Sequence, residues 1–337
     1  MKPYPLLFHP ILKEKVWGGR NLVALGKTLP AGTAIGESWE LADLPESVPG
    51  GRSKIANGPL AGLRLRQAIA EHGPAIMGPA TLTDEGGFPL LVKFLDACDN
   101  LSVQVHPDEA YVRKHPEAFL KSEAWIIVTA RAGAVIYKGV KPDVTPEQFA
   151  RHVRDGTVVD DLVAITVAPG DCHYLPSGTC HALGAGIVVA EIQSPSDTTF
   201  RVYDWGRTGR ALHLEQALQC ITFGAPQRPA EDAGEPVEID GLRTTSIART
   251  GFFALERLET DRPLHHRIET SGMPEIWVVL SGGGLLQTPD APTVPLSPGT
   301  TTLLPAALGG AGAELAAGTH LIRITLPSPL EGKLAGD

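Results

Sequence analysis

The sequence predicts a mainly β protein made of two jelly-roll barrels with a few decorating α-helices. Glycine (37) and proline (29) are spread along the chain and separate short apolar runs such as 90–95 and 276–280, which is typical of an all-β sandwich or barrel. The two halves of the chain also resemble each other. Helical patterns occur in only a few segments, namely 62–78, 108–121, 145–163 and 211–223.

The internal resemblance is carried by two pairs of segments. The sequence EAWIIV at 123–128 is repeated as EIWVVL at 275–280, and the Gly-x5-Pro pattern at 170–176 recurs at 299–305. One insertion in the first half, about the size of the helical stretch at 145–163, brings both pairs into register. Two copies of one β-barrel unit are therefore expected.

A polar stretch at 224–236, rich in Ala, Pro and Glu, lies between the two halves. Such composition is typical of a linker. The sequence therefore predicts a domain with helical segments at 1–225 and a second domain at 237–337.

Composition excludes several classes of function. The net charge of -9 and the scattered basic residues argue against a nucleic-acid partner. Four cysteines without CxxC spacing suggest neither a disulfide framework nor a cysteine zinc site. The N-terminus offers only a short apolar stretch interrupted by proline, and no later run reaches membrane-spanning length. A cytoplasmic protein without a membrane partner is expected.

The segment from Gly170 to His181 has the pattern Gly-x5-Pro-x-Gly-x2-His. It resembles the second signature of the cupin superfamily, in which a glycine turn opens a strand, Pro-x-Gly reverses the chain and the histidine points into the barrel mouth. His181 is therefore a candidate metal ligand. The asparagine that often follows in cupins is absent, because Gly184 and Ala185 stand there.

Further candidate ligands lie at 101–106 and at the start of the strand at 123–128. Strand alternation places Ser102, Gln104 and His106 on one face. A divalent cation is a common partner for an amide oxygen, an imidazole and a carboxylate, and Glu123 supplies the negative charge. Such a nitrogen and oxygen donor set suits Zn²⁺, while Mn²⁺, Fe²⁺ and Co²⁺ remain alternatives.

Several ordered motifs, covering roughly the first two-thirds of the chain, together resemble the type I mannose-6-phosphate isomerases in their short bacterial form. The motifs are PILKEKVWGG (10–19), GESWE (36–40), FPLLVKFLDA (88–97), SVQVHPDE (102–109), KSEAW (121–125), PSGTCHAL (176–183) and EIQSPSDTTFRVYDWGR (191–207). By resemblance, one Zn²⁺ per chain is held by Gln104, His106, Glu123 and His181. The second half lacks comparable motifs.

The resemblance implies interconversion of mannose 6-phosphate and fructose 6-phosphate through a cis-enediol, with Arg201 as the active-site arginine. Lys121, Glu191, Asp204 or a zinc-bound water are candidates for proton transfer. Ser102 matches a position that lines the same pocket. The candidates for binding the phosphate are Arg201, Arg207, Arg210, Lys93 and Lys121.

Three other functions remain open at this stage. They are isomerisation of another aldose phosphate, a non-catalytic bicupin that binds sugar phosphates, and a cupin dioxygenase. The second half is expected to bind no metal, because the repeat places Gly310 opposite His181 and, by ungapped extension, Leu258 opposite His106. His265 and His266 are expected at an exposed strand end.

Overall fold

The computed structural model describes residues 2–224, 231, 233–289 and 291–328. Its architecture is mainly β, as the sequence predicted. Most of the expected linker at 224–236, and the end of the chain from 329 onward, lie outside the described residues. Within the described part, no helix is both long enough and apolar enough to span a bilayer.

The strands fall into two groups along the chain. Those before the expected linker are β1 (Leu6–Leu7), β2 (Ile11–Gly19), β3 (Ile35–Leu41), β4 (Leu91–Ala97), β5 (Val103–Val105), β6 (Glu123–Ala130), β7 (Val135–Val140), β8 (Leu162–Thr166), β9 (Cys172–Leu175), β10 (His181–Leu183), β11 (Ile187–Gln193) and β12 (Phe200–Tyr203). Those after it are β13 (Val237–Ile239), β14 (Leu242–Arg249), β15 (Ala254–Thr260), β16 (Leu264–Ile268), β17 (Glu275–Ser281), β18 (Gly284–Thr288), β19 (Ala291–Leu296), β20 (Thr301–Leu304), β21 (Ala311–Leu315) and β22 (Thr319–Thr325).

The first group forms two sheets, with strand orders β2-β3-β4-β11-β6-β9 and β12-β5-β10-β7-β8. An apolar core that includes Trp125 and Ile127 of the first sheet, and Ile136 and Leu183 of the second, lies between them. Side chains alternate along each strand, so one face of each sheet points into this interior.

The second group repeats this arrangement. Its strands form sheets of order β20-β17-β22-β15-β14-β13 and β16-β21-β18-β19, which match β9-β6-β11-β4-β3-β2 and β5-β10-β7-β8 of the first group. By this order β15 is the counterpart of β4, whereas His106 follows β5. Leu258 in β15 therefore does not correspond to His106, and the ungapped extension of the sequence repeat was wrong. A gap-free alignment cannot follow two copies whose connections differ in length.

The two larger sheets pack against each other through a shared apolar cluster. It contains Phe94 and Ile126 from the first group together with Ile276 and Ile324 from the second, all of them fully buried. Strand β1 lies before β2 in the chain, yet it pairs with β20 at the edge of the second group's sheet. Both halves therefore share one continuous buried face.

Four α-helices are present in the described residues: α1 (Leu65–Met77), α2 (Glu109–Val112), α3 (Pro146–Asp155) and α4 (Leu214–Cys220). The predicted capping box of α3 is present, since Gln148 N donates to Thr145 Oγ1 at 3.3 Å and Thr145 N to Gln148 Oε1 at 2.9 Å. The helix predicted at 108–121 was wrong beyond one turn, because Pro116 disfavours helical backbone at the residue before it.

Candidate active site

Three buried side chains form the centre of the candidate site. His106 follows β5, Glu123 begins β6 and His181 begins β10, and their exposed fractions are 2%, 0% and 1%. The Nε2 atoms of His106 and His181 lie 3.4 Å and 3.2 Å from the two carboxylate oxygens of Glu123. One ligand atom from each residue lies within 4.8 Å of the other two.

A backbone carbonyl oxygen fixes the orientation of each imidazole through the ring nitrogen that faces away from Glu123. His106 Nδ1 lies 3.0 Å from the carbonyl oxygen of Thr198, and His181 Nδ1 lies 2.8 Å from that of Thr179. A carbonyl oxygen only accepts hydrogen bonds, so each Nδ1 carries the proton and each Nε2 presents a lone pair to the shared centre. This is the tautomer that a metal-binding histidine needs.

The protonation states also suit a cation. Burial, followed by the charge of Lys121, lowers the pKa of His106 to about 3, so its imidazole is neutral at neutral pH. Burial alone would raise the pKa of Glu123, but Lys121, whose Nζ is 2.7 Å away, holds it well below its usual value. Within the described residues, His106 Nε2 and Glu123 Oε1 have no hydrogen-bond partner, and Glu123 Oε2 has its ion pair with Lys121. Buried polar atoms without partners fit a bound metal ion.

The fourth predicted ligand stands beside this centre. Gln104 in β5 is directly opposite both His181 in β10 and Arg201 in β12, and cross-strand neighbours share one face of the sheet. The side-chain amide of Gln104 lies 3.2 Å from His181 Nε2, and Ser102 Oγ lies 3.4 Å from Gln104 Oε1. It is the amide nitrogen of Gln104 that faces His181, while its oxygen accepts from Ser102, so coordination of a metal through the oxygen requires the amide group to turn over.

A cavity of about 270 Å³ lies beside this centre, and Gln104 and Lys121, which contact the centre, form part of its wall. Seven of the predicted site residues line it: Lys93, Ser102, Gln104, Lys121, Glu191, Arg201 and Arg210. Lys93 and Glu191 belong to one row across the larger sheet, in which Trp39 is opposite Lys93, Lys93 opposite Glu191, and Glu191 opposite Trp125. The row points into the interior, which explains how separate motifs meet in one cavity.

Ion pairs connect the lysines and glutamates of this cavity. Lys93 Nζ lies 2.7 Å from Glu191 Oε1, and Trp125 Nε1 donates to Glu191 Oε2 at 2.9 Å. Burial would lower the pKa of Lys93, but Glu191 and Glu37 together raise it above its usual value. Burial would likewise raise the pKa of Glu37, but Lys93 and Lys15 lower it to about 2.

Arg201 differs from the other cations of the cavity. Its Nη1 donates to the carbonyl oxygen of Ala211 at 2.8 Å, its Nε is buried without an acceptor among the described residues, and no carboxylate lies within ion-pairing distance there. Burial, followed by the charge of Arg210, lowers its pKa. A guanidinium always carries its charge in proteins, so this positive charge remains available to an anion.

Two of the predicted site residues lie behind the cavity wall. Asp204 is buried and accepts from Arg210 Nε at 2.8 Å and from Arg207 Nη2 at 2.9 Å. Arg207 also contacts Asp99 at 3.0 Å and the carbonyl oxygen of Asn100 at 2.6 Å. Among the described residues, the cavity lining includes Arg210 but neither Asp204 nor Arg207.

The structure adds lining residues to which sequence reasoning gave no role: Lys15, Trp17, Glu37, Trp39, Asp197 and Thr199. Four of them stand in the motifs at 10–19 and 36–40 that carry the family resemblance. The signal was therefore present, but a position on β2 or β3 gains a function only when the sheet order brings it beside β4 and β11.

Fold and site together define a mainly β protein with a buried centre of two imidazoles and a carboxylate at one end of a cationic cavity. Comparison with known proteins gives the family. Residues 6–140 match the model of the phosphomannose isomerase type I catalytic domain.

Two curated relatives extend this match. A mannose-6-phosphate isomerase from Streptococcus mutans is 37% identical over 74% of this chain and 77% of its own length. A probable mannose-6-phosphate isomerase from Bacillus subtilis is 42% identical over 75% of this chain and 78% of its own. The chain therefore belongs to the type I phosphomannose isomerases, a family of aldose–ketose isomerases, as the motifs predicted.

Solved structures agree along nearly the whole chain. The mannose 6-phosphate isomerase from Bacillus subtilis superimposes with a TM-score of 0.84 at 30% identity, covering 95% of this chain and 99% of that one. A mannose 6-phosphate isomerase bound with zinc and yttrium has a TM-score of 0.73 at 16% identity, covering 96% of this chain and 99% of its own. The second likeness shows the fold alone.

Proposed function

We propose that this protein interconverts mannose 6-phosphate and fructose 6-phosphate with one Zn²⁺ held by Gln104, His106, Glu123 and His181. The observation that carries the proposal is the convergence of two Nε2 lone pairs on the Glu123 carboxylate at the end of a cationic cavity. Nitrogen and oxygen donors of this kind suit zinc. A mannose 6-phosphate isomerase of the same fold has been solved with zinc bound.

The charge of the cavity supports a phosphorylated substrate. Five Lys and Arg side chains line it but only three carboxylates of the described residues do, although the whole chain carries a net charge of -9. Lys93 and Lys121 are each held by a buried carboxylate. Lys15 pairs with Glu37 and Arg210 with Asp204, so the positive charge without a carboxylate partner among the described residues is that of Arg201, which we assign to the phosphate or to a developing oxyanion.

The reaction must move a proton between the first two carbons of an open-chain sugar phosphate through a cis-enediol. A bound zinc ion would supply Lewis acidity at the sugar carbonyl. The guanidinium of Arg201 stabilises negative charge in the cavity and stays protonated, so it does not transfer the proton.

The proton carrier must face the cavity, which ranks the three side-chain candidates; a zinc-bound water is the fourth candidate. Lys121 and Glu191 line it, whereas Asp204 is enclosed by Arg207 and Arg210 behind the wall. We therefore assign proton transfer to Lys121 or Glu191. Asp204 instead orients the guanidinium of Arg210.

The second half of the chain is proposed to bind no catalytic metal. Across the described residues, His106, Glu123 and His181 form the single group of three or more His, Cys, Asp or Glu ligands that are close enough to share an ion. The ratio of zinc to chain is therefore expected to be one.

A coupled assay tests this function. The purified protein is incubated with mannose 6-phosphate, formation of fructose 6-phosphate is followed without oxygen, and the assay is repeated after chelation and after addition of Zn²⁺. Activity that is lost and then restored supports the proposal. A higher kcat/KM for another aldose phosphate, binding without turnover, or a requirement for oxygen would each assign a different function.

A further inference from the structure

A second cavity, of about 630 Å³, opens into the interior of the second pair of sheets. It is lined by residues of β13, β14, β15, β16 and β22. By sheet order these strands correspond to β2, β3, β4, β5 and β11, which line the first cavity. The second cavity therefore occupies the place that the substrate cavity has in the first half, and its volume is ordinary for a small-molecule site.

The correspondence extends to single residues. In the first half, Lys93 is opposite Glu191 and Glu191 is opposite Trp125. In the second half, Glu256 is opposite Arg323, and Arg323 is opposite Trp277, the repeat partner of Trp125. An ion pair thus lines both cavities at the same position in the sheet, but its polarity is reversed.

The second cavity has the opposite charge balance as well. Arg323 Nε donates to Glu256 Oε2 at 2.7 Å, and Arg267 Nε lies 3.2 Å from Glu269 Oε1, so both lining arginines already have carboxylate partners. Glu235 and Asp240 add two further carboxylates among the described lining residues. An anion such as a sugar phosphate would be repelled here.

Other lining groups suit hydroxyls and a partly apolar ring, and His265 and His266 add two imidazoles. Thr244 and Ser246 place hydroxyl groups beside the Glu256–Arg323 pair. Val237 and Ile239 also line the cavity, with exposed fractions of 57% and 67%. A paired guanidinium and carboxylate offer donors next to acceptors, which is what neighbouring hydroxyl groups require, and the exposed apolar side chains can pack on the C–H face of a sugar.

We propose that this second cavity binds an uncharged polyhydroxy compound, that is, a sugar or polyol without a phosphate. Glu256 and Arg323 bond its hydroxyl groups, and the site needs no metal. The cavity lies on one face of the larger sheet of the second half, and the shared apolar cluster lies on the other face of that sheet. The cavity is therefore separate from the isomerase site.

The test titrates the zinc-loaded full-length protein with methyl α-D-mannopyranoside, which can neither open its ring nor carry charge. Inorganic phosphate and glucosamine serve as the anionic and cationic probes. Calorimetry or ligand-observed NMR measures the dissociation constant. Ser246→Trp fills the second cavity at an exposed position, and Thr199→Trp is the matched variant that fills the first.

We expect saturable binding of the mannoside in the millimolar range and no binding of phosphate to the second cavity. Ser246→Trp should weaken mannoside binding at least tenfold and leave isomerase kcat/KM within about twofold, whereas Thr199→Trp should do the reverse. Glu256→Gln should weaken mannoside binding about tenfold without a bulky replacement. The proposal would be overturned if the mannoside did not bind, or if its binding were lost in Thr199→Trp alone. It would also be overturned if glucosamine or phosphate bound the second cavity in preference to the mannoside.

Discussion

Replacement of Arg201 by alanine should separate catalysis from stability. The side chain has no carboxylate partner among the described residues and lies near Arg210, so its removal loses one hydrogen bond, to Ala211, and relieves repulsion between like charges. A single hydrogen bond contributes about 1 kcal/mol, so we expect the free energy of unfolding to change by less than about 1 kcal/mol. Removal of one donor to a developing oxyanion costs about 3 to 4 kcal/mol, which is a rate loss of about 10²- to 10³-fold.

The assay compares kcat, zinc content and the midpoint of thermal unfolding in the unchanged protein and in three variants, Arg201→Ala, Arg207→Ala and Arg201→Lys. Arg207→Ala is the matched control, because Arg207 contacts Asp204, Asp99 and the carbonyl oxygen of Asn100 and lies outside the cavity. It should lose about 1 to 3 kcal/mol of stability but much less activity. Arg201→Lys should recover part of the rate, because it restores the charge without the planar guanidinium.

Three results would refute this reasoning. The first is full activity in Arg201→Ala. The second is loss of zinc from a folded Arg201→Ala protein, which would make the arginine part of the metal site. The third is a larger rate loss in Arg207→Ala than in Arg201→Ala, which would place the substrate against the Asp204 network instead.

Three further predictions concern metal, proton transfer and pH. Elemental analysis should give about one zinc per chain and nearly none in His181→Ala, whereas a ratio near two would show a missed site in the second half. If Glu191 carries the proton, Glu191→Gln should lower kcat strongly, change KM little and shift the pH profile of kcat. An unchanged pH profile would favour Lys121. The carboxylate of Glu37 has a pKa of about 2, below the ordinary value of 4.5, so the stability it contributes is complete above about pH 4.5 and is lost as the pH falls toward 2. Acid unfolding curves should therefore be less steep in that window for Glu37→Gln, with a difference approaching about 3 kcal/mol, and identical curves would contradict the assignment.

Short apolar runs between glycines and prolines were enough to predict strands, because alternation and turn chemistry are local properties. The capping box at Thr145 and Gln148 was predictable for the same reason. The length of α3 was not, since Gly156 ends the helix at a φ of 77° where the periodic pattern continues. Likewise, the repeated EAWIIV segment identified β6 and β17 as equivalent, but it could not give the order of their neighbours in the sheets.

The sequence by itself determined the family, the mainly β class and the three residues that converge at the centre, because His106, Glu123 and His181 each stand in a motif whose strand position is readable locally. Only the tertiary structure decided which charges face the substrate. Asp204 and Arg207 belong to the same motif as Arg201, yet Arg201 lines the cavity and the other two lie behind its wall. Lys15 and Glu37 are far from Glu191 in the chain, yet sheet order brings them to the same cavity. The physical reason is that side-chain orientation follows from local alternation, whereas the neighbours of a side chain depend on pairing between strands that are distant in sequence.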